Sequence, residues 1–404
     1  MDLRFFGHEP WNLPPLQITM PDYNKILMPD SGTSTPTLPD TRTTMKFIHG
    51  LLIGALCVSS LAMAEPVHTI SADHQDYLYT GRIDFRDKKA PQLSWPGSSI
   101  KANFTGTSLA IVLDDQLGKN FFNVIIDGET QHPYVLEAKQ GEQTYVIATS
   151  LAAGKHSLEI YKRTEGEEGA THFKGLVLDK DASLLKAPTR PKRRIEIYGD
   201  SITSGMGNEG ADNGADHLLS EKNNYWAYGA ITARNLNAEL HTISQSGIGI
   251  MISWFPFIMP QFYDQLNAVG DNDSQWDFSR WTPDVVVVNL FQNDSWLIDR
   301  EKRLQPVPND AQRVQAYIDF VRTIRAKYPK AQIICALGSM DATANPTWPG
   351  YVKAAVARMQ QENNDKKIDT IFFPFNGYGH HPRIAQHKAN AALLTAFIKK
   401  KMKW

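Results

Sequence analysis

The chain has 404 residues, 42% hydrophobic and 21% charged, the proportions of a soluble globular protein long enough for more than one domain. Its 42 basic and 43 acidic residues nearly cancel. Four of the basic and five of the acidic residues precede Glu65, so the remainder carries 38 of each, and charge argues for neither a nucleic-acid nor an anionic-membrane partner.

Residues 1–44 hold seven prolines and little periodicity, as expected of a disordered leader or of a segment upstream of the true start. Met45-Lys46-Phe47 then opens a short positive region, Leu51 to Leu61 (LLIGALCVSSL) is apolar, and Ala62-Met63-Ala64 supplies small residues. That is the layout of a secretory signal peptide over residues 45–64. The apolar run is too short to span a bilayer. It predicts translation from Met45, cleavage after Ala64, and a secreted or periplasmic product without stable membrane insertion. One cysteine, Cys335, then remains, and its apolar surroundings predict a buried structural thiol.

Residues 65–188 read as a β domain. LAIVL (109–113), FFNVII (121–126), TYVIA (144–148), HSLEIY (156–161) and FKGLVL (173–178) recur at close spacing, separated by Asp127-Gly128, Gly141, Ala153-Gly154 and EGEEGA (165–170). Short strands without a long helical pattern predict a β-sandwich or jelly roll. KRTEG (162–166) reads as a solvated turn or an interdomain contact, and APTRPKRR (187–194) as a linker.

Over residues 189–404 strands and helices alternate. RIEIY (194–198), ELHTIS (239–244), DVVVVNL (284–290), QIICAL (332–337) and TIFFPF (370–375) are strands; helical spacing marks 226–236, 310–326, 349–362 and 383–401. This predicts a parallel sheet covered by helices on both faces, with functional residues on loops at the carboxyl ends of its strands. Those loops contain Gly199-Asp200-Ser201, Ser244-Gln245-Ser246-Gly247, Gln292-Asn293-Asp294 and Gly377-Tyr378-Gly379-His380-His381-Pro382.

Together they hold what acyl transfer needs. A serine hydroxyl becomes nucleophilic when a neighbouring histidine takes its proton, and the developing oxyanion needs donors already in place. Ser201 is the candidate nucleophile and His381, followed by proline, the candidate base. The N–H groups of Ser201 and Gly247 and the side-chain amide of Asn293 are candidate oxyanion donors. Trp254, Trp296, Tyr378, Met340 and Trp348 follow the same strand ends and are candidates for stacking on sugar rings. Asp200 reads as fixing the turn and His241 as a core residue, while His387 lies in the last helix. No Cys or acidic residue joins the histidines at metal-ligand spacing, so neither metal nor other cofactor is expected.

In this order GDSITSG, SGIG, QND and HHP resemble the four sequence blocks of the SGNH (GDSL-type) hydrolases, over about residues 190–404. Upstream, IDG (126–128), AAGKHSLEIYKRTEG (152–166) and HFKGLVLD (172–179), running into RRIEIYGDSITSGMG, resemble carbohydrate esterase family 2. The resemblance implies a flavodoxin-like SGNH domain behind a β-sandwich. It also implies an esterase that removes O-acetyl groups from plant cell-wall polysaccharides, acetylated xylan or glucomannan, often at the sugar 6-hydroxyl. A lipid or thioester hydrolase on the same site, or a carbohydrate-binding protein without catalysis, is the alternative. Two positions depart from the SGNH pattern. Tyr378 stands three residues before His381, where an aspartate usually holds the imidazole, so a Ser–His dyad is expected, steadied by a backbone carbonyl of residues 375–379. Phe291 replaces the glycine of the third block, where it would narrow the pocket or shift Asn293.

Overall fold

The structure, a computed structural model, describes residues 67–268 and 274–404. The leader and signal peptide expected over residues 1–64 lie outside the described residues.

The chain first forms strands β1 (Val67–Ser71), β2 (Leu78–Thr80), β3 (Gln92–Leu93), β4 (Ser99–Thr105), β5 (Leu109–Asp115), β6 (Phe121–Ile126), β7 (Tyr134–Glu137), β8 (Gly141–Ala148), β9 (Lys155–Lys162), β10 (Thr171–Asp179) and β11 (Leu184–Leu185). They make two antiparallel sheets, one ordered β1-β10-β5-β8 and the other β11-β4-β9-β6-β7, with β3 added to β10 and β2 to β4. Alternate residues point inward, as the two-residue period of a strand requires. Ile100, Ala102 and Phe104 of β4 thus meet Ile111 and Leu113 of β5 and Phe173 and Leu176 of β10 in one buried core between the sheets. This is the expected β-sandwich.

The second half is a parallel sheet of β12 (Arg193–Gly199), β13 (Ala238–Ser244), β14 (Val285–Asn289), β15 (Gln332–Leu337) and β16 (Ile368–Phe372), ordered β13-β12-β14-β15-β16. That is the flavodoxin-like order, with a topological switch beside β12. Helices α1 (Ser201–Ser204), α2 (Tyr228–Asn235), α3 (Met259–Phe262), α4 (Gln292–Asp294), α5 (Asp310–Lys327), α6 (Thr347–Asn363) and α7 (Ile384–Met402) connect and cover the strands. β14 is Val285-Val286-Val287-Val288-Asn289, buried throughout. Its even and odd residues enter separate cores, Val286 and Val288 with α5 residues Tyr317 and Val321, Val285 and Val287 with α7 residues Leu394 and Ile398.

All described residues belong to one compact unit. Buried polar contacts join its halves. Arg82 of the sandwich region, fully buried, donates to the carbonyls of Tyr263 (2.7 Å) and Gln265 (2.9 Å) and pairs with Glu196 of β12 (3.4 Å). Lys162, Arg163, Thr164 and Glu165 are also buried at this seam, so KRTEG is an interdomain contact; the solvated-turn reading is corrected. Its charges are tolerated in the interior because each is met: Arg163 by Glu209 and Glu165 by Lys222, distant in sequence, and Lys162 by the Thr164 (2.9 Å) and Glu165 (3.0 Å) carbonyls of its own turn.

Candidate active site

β12 delivers Gly199 to the carboxyl edge of the sheet, where the chain turns directly into α1. A Cβ on Gly199 would lie 1.9 Å from Thr203 Oγ1, so the turn needs glycine. Asp200 caps α1, its carboxylate accepting from the Ile202 N–H (3.0 Å), and burial pushes its carboxyl up to about 7. Ser201 is therefore the first residue of a short capped helix.

Ser201 Oγ lies 2.9 Å from His381 Nε2. On the other side of the ring, His381 Nδ1 lies 3.0 Å from Asp216 Oδ2, which also accepts the His381 backbone N–H at 2.8 Å. Asp216 comes from the loop between α1 and α2, so the expectation of a carbonyl from residues 375–379 is corrected. Tyr378, at the usual acid position, instead directs its hydroxyl to Ser339 Oγ (2.9 Å) and stacks its ring on His380. Arg383, buried at the start of α7, fixes the Asp216 loop. It donates to Asp216 Oδ1 (2.6 Å) and to the carbonyls of Ala211 (3.0 Å), Gly214 (3.1 Å) and Gly207. Burial would raise the Asp216 carboxyl, but bonds from His381 and Arg383 outweigh it and hold the group well below the usual carboxylate range.

Asp216 was not legible in the sequence. It lies 165 residues from His381 in a polar stretch with further acidic residues. The one available clue was Arg383, a cation two residues after the histidine that needs a buried partner.

Gly247 follows β13 with φ +86°, a left-handed conformation that favours glycine. Asn293, in α4 after β14, spans to the same loop. Its Nδ2 donates to the Ile248 carbonyl (2.9 Å) and its Oδ1 accepts from Trp254 Nε1 (3.1 Å). An amide nitrogen carries two hydrogens, so that first bond leaves a second N–H. Asp294 holds the loop from beneath, accepting N–H groups of Ile250 (3.0 Å), Met251 (2.6 Å) and Ile252 (3.3 Å). Burial nevertheless raises its carboxyl to about 6.

Phe291 has φ +91°, which explains why glycine is usual there. A non-glycine residue in this region costs on the order of 1–2 kcal/mol. The ring does not narrow the site; it is fully buried against Tyr317 and Trp348.

A cleft of about 670 Å³ opens beside His381, lined by Trp254, Trp296, Met340, Phe375, Tyr378, His380 and Asp216 among others. Trp254 is 40% exposed, whereas Met340 is 8% exposed. Trp296 donates from Nε1 to Asp341 (2.7 Å). The expectation that Trp348 reaches the crevice is corrected. It faces inward from the first turn of α6, donates to Asp299 (2.9 Å) and packs on Phe291 and Tyr351. His241 is buried and stacked on Trp281, and His387 is buried with Nδ1 accepting from the Tyr228 N–H (3.1 Å).

Among the described residues, Glu165, Glu167 and Glu168 form a group spaced closely enough to hold a cation. The Lys222 ammonium already occupies that position, 2.7 Å from Glu165 and 2.5 Å from Glu168. No described helix is long and apolar enough to cross a membrane.

Residues 79–188 match the carbohydrate esterase 2 N-terminal family model, and residues 197–394 the GDSL-like lipase/acylhydrolase family. The chain is 36% identical over 352 residues to a cellulase/esterase of Acetivibrio thermocellus, covering 84% of this chain but 41% of that longer protein. It is 27% identical to an acetylxylan esterase / glucomannan deacetylase of Cellvibrio japonicus, covering 86% of this chain and 95% of that one. Among solved structures it is similar to a family two carbohydrate esterase from Clostridium thermocellum in complex with cellohexaose. That similarity has a TM-score of 0.73 at 34% identity, over 81% of this chain and 99% of the other.

Proposed function

The chain belongs to carbohydrate esterase family 2 and is a carboxylic ester hydrolase, and from that premise we propose that it removes O-acetyl groups from plant cell-wall polysaccharide through an acyl-enzyme on Ser201. Acetylated xylan or glucomannan is the substrate class, with the sugar 6-hydroxyl a preferred position. The observation that carries this reading is the chain of contacts from Ser201 through His381 to Asp216, beside a cleft walled by aromatic rings.

Ser201 Oγ attacks the acetyl carbonyl carbon while His381 Nε2 takes its proton. Asp216 holds the ring with Nδ1 protonated and stabilises the imidazolium that forms. The N–H groups of Ser201 and Gly247 and the Asn293 amide meet the oxyanion. The imidazolium returns its proton to the leaving sugar oxygen. Water, deprotonated by the same nitrogen, then attacks the acetyl carbon; the bond to Ser201 Oγ breaks, the imidazolium returns the proton to that oxygen, and acetate leaves. No step calls for a metal or other cofactor. Trp254, Trp296 and Tyr378 offer ring faces to the pyranose units, consistent with the acetylxylan esterase / glucomannan deacetylase of Cellvibrio japonicus as a relative. Export across a membrane, with cleavage after Ala64, completes the proposal; N-terminal sequencing of the cell-free or periplasmic protein tests it.

Acetate release from a panel of acetylated polysaccharides tests the activity, with Ser201→Ala as control. The wild type releases acetate, and the variant loses more than about 10³-fold of the rate. A wild type that releases none, or a variant equally active, ends the proposal. Rates rising from acetate to octanoate esters would point to a lipid hydrolase instead.

A further inference from the structure

Glu165 belongs to the β-sandwich half but makes its contacts beside the proposed catalytic serine. It is fully buried at the turn after β9. One carboxylate oxygen, Oε2, accepts from Ser204 Oγ (2.6 Å) and from the backbone N–H of Ser246 (2.7 Å). The other, Oε1, accepts from Lys222 Nζ (2.7 Å). Ser204 is the last residue of α1, whose first residue is Ser201, and its hydroxyl also lies 2.8 Å from Ser244 Oγ at the end of β13. Ser246 shares a peptide bond with Gly247. One carboxylate therefore ties together the helix that presents Ser201 and the loop that presents Gly247.

The loop is held at two points. On its far side Asn293 bonds the Ile248 carbonyl and Asp294 bonds the N–H groups of residues 250–252. On its near side the Ser246 N–H meets Glu165. Securing that N–H fixes the Ser246 backbone, and with it the orientation of the next peptide, which carries the Gly247 N–H.

A bare carboxylate so close to a developing oxyanion would repel it. Lys222, itself buried, supplies the compensating charge. Burial opposes ionisation of Glu165, but Lys222 and the bonds from Ser204 and Ser246 outweigh it and keep the group ionised below the usual range. Other buried ion pairs at the seam, such as Arg82 with Glu196, contact neither loop.

We propose that Glu165 of the β-sandwich is a positioning residue for the esterase reaction, setting the Gly247 oxyanion donor relative to Ser201. The proposal rests on the acyl-enzyme reading given above. Acetate release by the wild type and its loss in Ser201→Ala test that reading separately; the comparison below tests Glu165 alone.

The probe is a small alkyl boronic acid, which adds to the serine as a tetrahedral anion and mimics the transition state. Its Ki is measured per Ser201 site, counted by the burst of 4-nitrophenol from 4-nitrophenyl acetate, so loss of folded protein does not register. Glu165→Gln cannot serve both the Ser246 N–H and the Lys222 ammonium. It is expected to weaken boronate binding and lower kcat together by about 10- to 100-fold, with KM within about twofold, because only a misset oxyanion donor is at stake. Two double variants isolate the acceptor: both remove the Lys222 ammonium, so both leave Glu168 equally without it, and they differ only in the oxygen offered to Ser246. Glu165→Gln with Lys222→Met keeps an oxygen for Ser246 and is expected to bind boronate within about threefold of wild type. Glu165→Leu with Lys222→Met offers none and is expected to bind it at least about 10-fold more weakly. Equal Ki per titrated site in these two variants overturns the proposal, as does a KM effect without one on kcat or Ki.

Discussion

Replacing Asp216 by asparagine has a consequence that can be worked from the contacts. Oδ1 faces Arg383 at 2.6 Å, and Oδ2 faces the His381 ring at 3.0 Å and its backbone N–H at 2.8 Å. An asparagine turns its oxygen to the guanidinium, the stronger donor. Its N–H₂ then points at His381, where the backbone N–H loses its acceptor and Nδ1 must accept, so the ring proton moves to Nε2. That is the wrong tautomer to take a proton from Ser201. In serine-protease triads the equivalent change lowers kcat about 10⁴-fold. Asp216 is partly exposed, with 26% of its side chain accessible, so water can compete and the expected loss here is roughly 10²- to 10³-fold. Alanine leaves room for water and imposes no tautomer, so Asp216→Ala should lose less, about 10- to 100-fold, the value of one charge-assisted hydrogen bond. The assay is kcat/KM on 4-nitrophenyl acetate at pH 7–8, with acetate release from polysaccharide in parallel. An asparagine variant within about threefold of wild type, or one more active than the alanine variant, would refute the reasoning. Stability supplies an independent reading. The carboxyl is held below its ordinary value of 3.8, so its contribution is present above that pH and is lost as pH falls through the folded value. The gap in melting temperature between wild type and Asp216→Asn should thus be open at pH 7 and shrink below pH 4.

Trp254→Phe keeps a ring in the cleft but removes the donor to Asn293 Oδ1; steady-state kinetics should show kcat reduced about 5-fold, the worth of roughly 1 kcal/mol, with little change in KM. Phe291→Gly relieves a left-handed backbone but vacates a fully buried ring site. The cavity, about 3–5 kcal/mol, exceeds the strain of about 1–2 kcal/mol, so thermal melting should show net destabilisation. Asp200 has its carboxyl pushed up to about 7, so between 3.8 and 7 the folded state binds the extra proton and this group's contribution falls as pH rises. Asp200→Asn retains a capping oxygen and should flatten that slope, by up to about 1.4 kcal/mol per pH unit, in denaturant titrations at pH 5 and 8.

Elements that bury their own residues by simple period were legible in the sequence. FFNVII is β6 (Phe121–Ile126) and QIICAL is β15 (Gln332–Leu337) residue for residue, because strand runs and their turn signals are local. The proposed strand over 370–375 ends at Phe372 instead, before Pro374, which cannot donate to a ladder. Alternation of strand and helix likewise brought Ser201, Gly247, Asn293 and His381 to one edge of the sheet, since parallel strands with right-handed crossovers leave their carboxyl ends together.

Tertiary structure decided the pairings. A hydrogen bond records no separation along the chain, so Asp216 meets His381 across 165 residues and Glu165 meets Ser246 across 81. Tyr378 holds the usual acid position by count, yet its hydroxyl goes to Ser339. KRTEG reads as either a solvated turn or an interdomain contact; the second holds because Glu209 folds against Arg163 and Lys222 against Glu165. Which residues carry polar chemistry to the edge of the sheet is a property of the local sequence. Which carboxylate faces which ring is settled when loops from both halves of the chain close on the same few ångströms.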